Sequence, residues 1–449
     1  MRMGFGISEF ERTRGDLPEM PVINMFAESA PTEETGVVLQ SRPGLSDYVT
    51  MGSGPVHAIF SADGVLDDGF YGVSGSHLYA GTFDCGAITG SGPWSMAGFS
   101  NLLFVAGGAG LWTWDMTTLV NVAFPDAANV RKVIIGASRA ICIRADTQKF
   151  YWSDPLTSTI NALSFATAES QPDRLRDMLF IDDTLILFGA ETVEFWPNTG
   201  DVDLPFQPLE GRVFERGIKA TGCAVKVGAT FAWVTNLNQI CIGDPDNIIT
   251  TAGLEALISA TDTPKLWTFY IEGTEFLAIR IDAGTWVYSM RAKTWSKFNT
   301  DSTTNWAAQC HARGFYGSST NGKVYRWASD NLDLGTTMER RFRAGIPLNS
   351  GGVTISNILL RTHTGQTPYT SGAYLEPTVQ MRFSRDLGHT WSAWRSKSLG
   401  IQGDTAKRVK WNGCGIGSQP GFLAEFKVTA PIDWRVSEVL VNEKLGGRQ

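Results

Sequence analysis

The stretch DTLILFGAETVEFWPNTG, Asp183–Gly200, contains the pattern that decides the fold. A run of apolar residues, Leu185–Phe188, predicts a strand, and Gly189-Ala190 predicts a tight turn. A second strand, Thr192–Trp196, ends in aromatic residues, and Pro197-Asn198 terminates it. The stretch therefore predicts a β-hairpin whose second strand is marked by an aromatic residue at its end.

Similar units, in which an aromatic strand end precedes a polar turn, recur along the chain, and a seventh unit lacks the aromatic residue. The positions that mark them are Tyr79, Trp114, Trp152, Trp196, Ile242, Tyr288 and Trp327. The steps between them are 35, 38, 44, 46, 46 and 39 residues, and a four-stranded propeller blade occupies about 40–45 residues. A closed ring of such sheets buries every apolar face. We therefore predict a β-propeller of six or seven blades, and the regular spacing disfavours unrelated hairpins in a sandwich.

Sequence texture divides the chain into three parts. Residues 1–45 contain few strand patterns and are predicted to form an extended arm that docks on the rest, while residues 46–335 form the propeller. Residues 336–449 contain five or six further strand patterns, which predict an antiparallel β-sandwich. Helical spacing is convincing only at Thr251–Ala260. The predicted class is all-β.

Charge and composition exclude several functions. The 45 acidic residues outnumber the 38 basic ones, which gives a net charge of −7, whereas proteins that grip DNA through its phosphates are normally basic. The six cysteines and five histidines are dispersed and predict no disulfide framework or zinc site. No apolar run is long enough to span a bilayer, and the N-terminal residues do not resemble a signal peptide.

Several stretches, in a consistent order, resemble the packaged-DNA stabilisation proteins, which are the tail-hub or nozzle proteins of short-tailed phages. These stretches are PVINMFAESAP followed by SRPGL, GSGPWSMAG, AESQPDRL, FGAETVEFWPNTG, ERGIKATGCAVKVG and the C-terminal VKWNGCGIGSQPGFLAEFKVTAP. The resemblance lies in their order, because none of them is a chemical signature.

That resemblance implies a virion protein, made in the host cytoplasm, that forms a homo-hexameric ring below the portal and the head-to-tail adaptor. The ring would retain packaged DNA, conduct it during ejection, and carry tailspike, fibre or tail-needle proteins. Duplex DNA would pass without tight or specific binding, and the negative charge of this chain agrees with such a passage. The sequence does not identify the residues that line the channel.

The stretch SRDLGHTWSAW motivates a rival interpretation. Ser384, Asp386, Gly388 and Trp391 have the spacing of the Asp-box, a turn motif of sialidase propellers. The rival is a glycan-binding or glycan-cleaving propeller. A sialidase would carry several copies together with an arginine cluster, whereas this chain has one full copy, outside the predicted propeller. We therefore interpret the motif as a structural turn.

Other motifs also favour a protein without an enzymatic role. AESQPDRLRD, with Glu169, Asp173 and Asp177, could supply paired carboxylates but is more simply a contact between blades or subunits. The glycines of GSGPW and AGGAGLW lack the lysine of a phosphate loop and predict turns. IDDT and GDPDN are predicted to be hairpin turns because neither is a full calcium loop. We expect no catalytic residue, no cofactor and no metal.

Overall fold

The computed structural model describes residues 2–6, 8–9, 19–30, 36–168, 171–300, 304–347, 352–417 and 421–443. The described chain is nearly all β-strand, as predicted, and it contains one α-helix, α1 Ala252–Ser259. This helix lies within the stretch predicted to be helical. Its N-terminus is capped by Thr251, whose hydroxyl accepts a hydrogen bond from the Leu254 amide at 3.3 Å.

Five strands precede the first repeat unit: β1 Gly4–Phe5, β2 Val22–Ile23, β3 Met25–Ser29, β4 Val37–Ser41 and β5 Leu45–Thr50. Seven units of four antiparallel strands follow. Their strands are, unit by unit, β6 Val56–Phe60, β7 Tyr71–Ser74, β8 His77–Ala80, β9 Phe83–Ala87; β10 Ser95–Phe99, β11 Leu102–Ala106, β12 Leu111–Trp114, β13 Leu119–Val122; β14 Val130–Gly136, β15 Arg139–Arg144, β16 Lys149–Ser153, β17 Ile160–Thr167; β18 Leu175–Ile181, β19 Thr184–Gly189, β20 Val193–Pro197, β21 Val213–Phe214; β22 Ala224–Val227, β23 Thr230–Val234, β24 Ile240–Ile242, β25 Asp244–Ile248; β26 Lys265–Ile271, β27 Thr274–Ile281, β28 Gly284–Ser289, β29 Thr294–Phe298; and β30 Ala308–Ala312, β31 Phe315–Ser318, β32 Lys323–Trp327 with β5.

The seven units form a closed ring. The first strand of each unit contacts the first strand of the next, from β6 to β10 and so on to β30, and β30 in turn contacts β6. The propeller prediction is confirmed, and the described structure has seven blades. Each of the seven predicted marker residues lies on the third strand of its blade, and Ile242, which lacks the aromatic side chain, belongs to a complete blade.

The seventh blade is completed by a strand from the other end of the propeller sequence. β5 pairs antiparallel with β32, with Leu45 opposite Trp327 and Thr50 opposite Lys323. The first and last segments of the propeller are therefore joined by a strand ladder. Opening the ring between the seventh and first blades requires breaking these hydrogen bonds.

Neighbouring blades share their hydrophobic cores. One cluster combines Phe150 and Trp152 of the third blade with Leu185 and Trp196 of the fourth. The rings of Phe150 and Trp196 meet edge to face, with centroids 5.2 Å apart. One face of the hairpin Asp183–Gly200 is thus stabilised by the preceding blade. Ile186 and Phe188, on the other face, are buried in a core shared with the fifth blade, so the strands are apolar on both faces.

The remaining strands form two sheets around another core. They are β33 Arg340–Pro347, β34 Val353–Thr362, β35 Thr378–Ser384, β36 Arg395–Ser398, β37 Val409–Gly417, β38 Gly421–Val428 and β39 Arg435–Val441. One sheet contains β2, β33, β38, β35 and β36, with β1 paired to β33, and the other has the order β3-β4-β39-β34-β37. Phe342, Trp411, Phe426 and Trp434 lie in the shared core.

The N-terminal strands and the C-terminal strands are combined in these two sheets. β2 also pairs in parallel with β29, through Ile23 and Lys297, so the first of the two sheets continues into the sixth blade. A separate C-terminal sandwich, and the division at residues 45 and 335, therefore remain predictions.

Candidate functional site

The Asp-box residues form a compact turn after β35. The Ser384 hydroxyl donates to Asp386 Oδ1 at 2.6 Å and accepts from the Gly388 amide at 2.8 Å. Asp386 Oδ1 also accepts from the Thr390 amide at 2.8 Å, and Trp391 Nε1 donates to the Gly388 carbonyl at 3.0 Å. Partial burial raises the pKa of Asp386, but hydrogen bonds from Ser384 and Thr390 outweigh it and hold the pKa at about 2. The polar groups of the motif are thus engaged within the turn.

Arginines do cluster beside this turn, but they surround a carboxylate of the protein itself. Glu425 is fully buried, and its two oxygens accept from Arg343 Nε at 3.0 Å and from Arg382. The guanidinium carbons of Arg343 and Arg382 lie 4.8 and 4.5 Å from the Trp391 ring centre. Both arginines are therefore engaged by Glu425 and covered by Trp391.

The residues of AESQPDRLRD connect the fourth blade to its neighbours. Arg176 Nη1 donates to the carbonyls of Ile218 and Lys219, at 2.9 and 2.6 Å. Asp177 is fully buried, accepts from the Gly222 amide at 2.8 Å, and pairs with Lys132 of the third blade. The predicted contact between blades is confirmed for these two residues.

Asp173, the remaining carboxylate of this stretch that the structure describes, is engaged by backbone amides of the fourth blade. Asp173 Oδ2 accepts from the amides of Glu191 and Thr192, at 2.6 and 3.0 Å. A Cβ atom at Gly189 would lie 2.2 Å from this oxygen, so the turn requires glycine there. Glu169 lies outside the described residues.

Two adjoining cavities lie at the end of the propeller where the first strands of the blades begin. The larger of the two, which we name the axial pocket, measures about 450 Å³ and is lined among others by Arg131, Asp146, Arg174, Arg176, Lys219 and Thr221. The smaller, which we name the minor pocket, measures about 260 Å³ and is lined among others by His57, Trp94, Lys265 and Gln309. Together they contact residues from all seven blades, so they lie at the propeller axis.

The axial pocket, at about 450 Å³, is somewhat smaller than a cavity of about 510 Å³ between the sixth and seventh blades. That larger cavity is lined mainly by neutral polar side chains, such as Thr300, Asn305 and Asn321, together with Arg280. The axial pocket differs because four cationic side chains line it, whereas Arg280 is the one charged residue among those that line the larger cavity. It is therefore the candidate functional site of the propeller.

A loop of the second blade crosses the axis and separates the two pockets. Gly92 and Pro93 line both of them, and a Cβ atom at Gly222 of the fifth blade would lie 3.5 Å from Pro93. Gly90 and Gly92 have φ angles of 151° and 77°, so the backbone takes conformations that favour glycine. The GSGPW glycines thus form a turn before a strand, as predicted, and no helix follows them.

Cations outnumber carboxylates in these pockets. Four cationic residues line the axial pocket and one, Lys265, lines the minor pocket, against a single carboxylate, Asp146. Arg131 Nη2 donates to Asp146 at 2.8 Å, while Arg131 Nε is buried without a hydrogen-bond partner. Burial lowers the pKa of Lys265, whose ammonium group donates to the His57 carbonyl at 2.7 Å. The axial end is therefore a cationic recess in an acidic protein.

Sequence reasoning missed this recess because its charged residues lie in different blades. Arg131, Arg176 and Lys265 each occupy the first or second position of the first strand of a blade. A search for basic residues at the starts of these strands could have found them. No single stretch of sequence contains the set.

The adjacent Cys310 and His311 do not form a metal site. His311 Nδ1 lies 2.9 Å from the Thr268 carbonyl, and its Nε2 accepts from the Gly314 amide at 2.9 Å, which defines a neutral ring with the proton on Nδ1. Burial lowers the pKa of His311 to about 4. Among the residues that the structure describes, no three His, Cys, Asp or Glu side chains are grouped to hold a metal ion. Within the same residues, no helix is long and apolar enough to cross a membrane.

Comparisons with known proteins identify a family and several propellers of similar shape. A family model, Phage_stabilise, described as the β-propeller of bacteriophage P22 Gp10, matches residues 5–325. Among curated proteins, none matches the chain.

Solved structures with a similar fold include the β-propeller domain of Cps50 (Swd1) from Myceliophteria thermophila, at 11% identity and a TM-score of 0.39, covering 63% of this chain and 100% of that one. YCF48 from Cyanidioschyzon merolae has 9% identity and a TM-score of 0.41, covering 64% of this chain and 100% of that one. BamB from Moraxella catarrhalis has 12% identity and a TM-score of 0.33, covering 67% and 90%.

Proposed function

The chain belongs to the Phage_stabilise family, that of the bacteriophage P22 Gp10 β-propeller, and from this premise we propose that it forms the hub or nozzle ring of a short phage tail. Six copies surround a channel below the portal and adaptor, retain packaged DNA, and conduct it during ejection. The family match carries the proposal, since it extends over residues 5–325 and so includes almost the whole closed ring of blades.

The DNA channel in this proposal lies between subunits and not along the axis of one propeller. The loop that contains Gly92 and Pro93 crosses that axis and approaches Gly222 on a distant blade. A duplex, whose major groove alone is about 12 Å wide, needs a wider opening. The net charge of −7 supports a channel wall through which phosphates slide without being held.

The outer strands of the first five blades support a role in assembly. Each exposes an apolar side chain, between 38% and 84% accessible: Phe83, Val120, Leu163, Val213 and Ile248. Free strand edges that carry apolar residues are normally covered or protected in soluble proteins. In the proposed hub these edges contact neighbouring copies or other tail proteins, such as the tailspike, fibre or needle. The mature protein is then a virion component, made in the host cytoplasm.

In this proposal the Asp-box has a structural role, and none of the residues that the structure describes acts in catalysis or binds a cofactor or metal. The internal hydrogen bonds of Ser384, Asp386, Gly388 and Trp391 support that role. The arginines near the turn are occupied by Glu425. The rival glycan-cleaving function would need such arginines to be free for a substrate carboxylate.

The decisive experiment is binding to a purified complex of portal and adaptor, followed by electron microscopy of the product. A six-fold ring below the adaptor is expected. A chain that does not bind this complex, but hydrolyses sialosides or bacterial surface polysaccharides, would establish the rival function.

A matched pair of variants tests the outer strands in the same experiment. Leu163→Lys places a charge on an outer strand and should reduce ring formation without lowering thermal stability. Leu237→Lys changes an exposed leucine on a loop and should assemble as the wild type does. Equal effects of the two substitutions would remove the argument from the outer strands.

A further inference from the structure

We infer that the axial pocket binds a small phosphate-type oxyanion, such as inorganic phosphate, pyrophosphate or the phosphates of a nucleotide. This site is not required by the proposed tail role and does not depend on it. Its residues, Arg131, Arg174, Arg176 and Lys219, come from the loops and first strands of the third, fourth and fifth blades. The closed ring brings them together at one end of the axis.

The first argument is the local excess of positive charge. Four cationic side chains line the axial pocket against one carboxylate, Asp146. Arg174 and Asp146 are 72% and 67% exposed, so water screens both of them, and the remaining excess of positive charge lies on Arg131, Arg176 and Lys219. Elsewhere in this chain clustered arginines surround a buried acid, as Arg343 and Arg382 surround Glu425. The axial pocket has no buried carboxylate among its lining residues to play that part. An anionic ligand would supply the missing negative charge.

The second argument is a buried donor without an acceptor. Arg131 Nε is buried and has no hydrogen-bond partner, and leaving a buried polar group without a partner is unfavourable. Arg131 Nη1 lies 3.5 Å from the Thr221 hydroxyl of the fifth blade, so the side chain is held at the pocket. Arginine binds phosphate with two parallel N–H bonds, and Nε together with an Nη atom can form such a pair. The side chain is thus positioned for an oxyanion.

The third argument is size. A volume of about 450 Å³ lies within the range of about 300–1,000 Å³ that is usual for small-molecule sites. Gly92 and Pro93 form one wall and also line the minor pocket, so the axial pocket is bounded on the side of the axis. A duplex cannot enter such a space, whereas one or two phosphate groups can.

The test measures binding of inorganic phosphate, pyrophosphate and ADP to the full chain by calorimetry at low ionic strength. Pyrophosphate is expected to bind more tightly than phosphate, because it presents more oxygens to the four cations. ADP that binds no more tightly than pyrophosphate identifies the phosphates as the recognised part. If ADP binds much more tightly than pyrophosphate, the site is a nucleotide site, and the phosphates of the nucleotide are the oxyanion that we propose.

A matched variant pair in the third blade isolates the pocket. Arg131 and Asp146 are 27% and 67% exposed and 2.8 Å apart, and Arg144 and Asp126 are 25% and 66% exposed and 2.8 Å apart. Arg131→Gln should weaken pyrophosphate binding at least about tenfold, while Arg144→Gln should leave it unchanged. Equal weakening by both substitutions would mean that the anion responds to surface charge in general and would overturn the proposal.

A second substitution covers the case in which Arg131→Gln impairs folding. Arg174 is 72% exposed, so Arg174→Gln should retain the wild-type melting temperature and still weaken pyrophosphate binding. Absence of binding by phosphate, pyrophosphate and ADP to the wild type at millimolar concentration would refute the site. Binding of a single-stranded oligonucleotide, in place of these three, would also refute it as a small-molecule site.

Discussion

Replacing Asp333 by alanine should destabilise the strand pairing that closes the propeller ring. Asp333 and Arg42 are both fully buried, with Arg42 Nη2 at 2.7 Å from Asp333 Oδ2. Asp333 Oδ1 also accepts from the amide of Leu45 at 2.8 Å. Leu45 is the first residue of β5, which completes the seventh blade and which we call the closing strand. Arg42 in turn donates to Asn24 Oδ1 at 2.9 Å and to the Asn299 carbonyl at 2.7 Å. One ion pair thus connects the N-terminal strands, the closing strand and the segment after the seventh blade.

The expected loss follows from the burial of both partners. Removing one member of a buried ion pair leaves an unpaired charge, which costs about 3–5 kcal/mol. Since a domain is stable by only about 5–15 kcal/mol, Asp333→Ala should remove a large share of the stability. The matched control is Asp47→Asn on the same closing strand. Asp47 pairs with Lys323, but the two side chains are 53% and 42% exposed, so the control should lose less than about 1 kcal/mol.

Urea unfolding followed by tryptophan fluorescence measures both losses. Because the chain contains several cores, the comparison uses the midpoint of the first transition and not a two-state extrapolation. Combining Arg42→Met with Asp333→Leu should recover part of the loss, because the unpaired charge of Arg42 is then removed. The recovery is expected to be incomplete, because the buried Arg340 still loses the attraction of Asp333. If Asp333→Ala unfolds at the same urea concentration as Asp47→Asn, the buried pair does not hold the ring closed.

Three further predictions concern other sites. Burial lowers the pKa of His311 from 6.5 to about 4, so between these pH values the unfolded chain binds a proton that the folded chain does not. The melting temperature should therefore fall as the pH is lowered from about 6.5 to 4, and His311→Gln should reduce this decrease. Gly388 has a φ of 95°, so Gly388→Ala should cost about 1–2 kcal/mol in urea unfolding, and sialoside hydrolysis should be absent before and after the change. Asp177→Ala removes the buried partner of Lys132 and the acceptor of the Gly222 amide, and it should lower stability by about 3–5 kcal/mol; a melting temperature within the error of the wild type would contradict the contact between blades.

The propeller could be predicted from the sequence because its third strands carry a repeated local signal. Trp152 and Trp196 are buried between adjacent blades, so packing demands a large apolar side chain at that position of the repeat. The blade number could not be fixed, because the fourth strand of the last blade is Leu45–Thr50, far away in sequence from the Lys323–Trp327 strand that it pairs with. The fourth strand of the fifth blade, Asp244–Ile248, is mostly polar and resembles a turn in sequence.

The N-terminal segment shows a different limit of sequence reasoning. Met25–Ser29 and Val37–Ser41 pair with each other, and the second of them pairs with Arg435–Val441. The pairing of Val37–Ser41 with Arg435–Val441 joins the two ends of the chain, so no local spacing in the sequence could reveal it. The side chains of Met25 and Leu39 are nevertheless buried in the core shared with the C-terminal strands. Apolar residues in a segment predicted to be an arm were therefore the available signal.

The acidic composition of the chain and its cationic axial pocket are compatible, because the charges in the pocket and those on the outer surface are met by different ligands. In physiological salt the charges of an exposed surface are screened beyond about 8 Å, so in the proposed hub a passing duplex would respond only to the surface nearest to it. The whole chain carries 45 acidic and 38 basic residues. Arg131 and Lys265 lie in recesses at the propeller axis, where a duplex cannot approach them. In the proposed hub, confining these cations to a recess would let a small anion reach them and would keep them from retarding DNA. A hub that carried the same charges on its channel wall would bind the phosphates that it has to release.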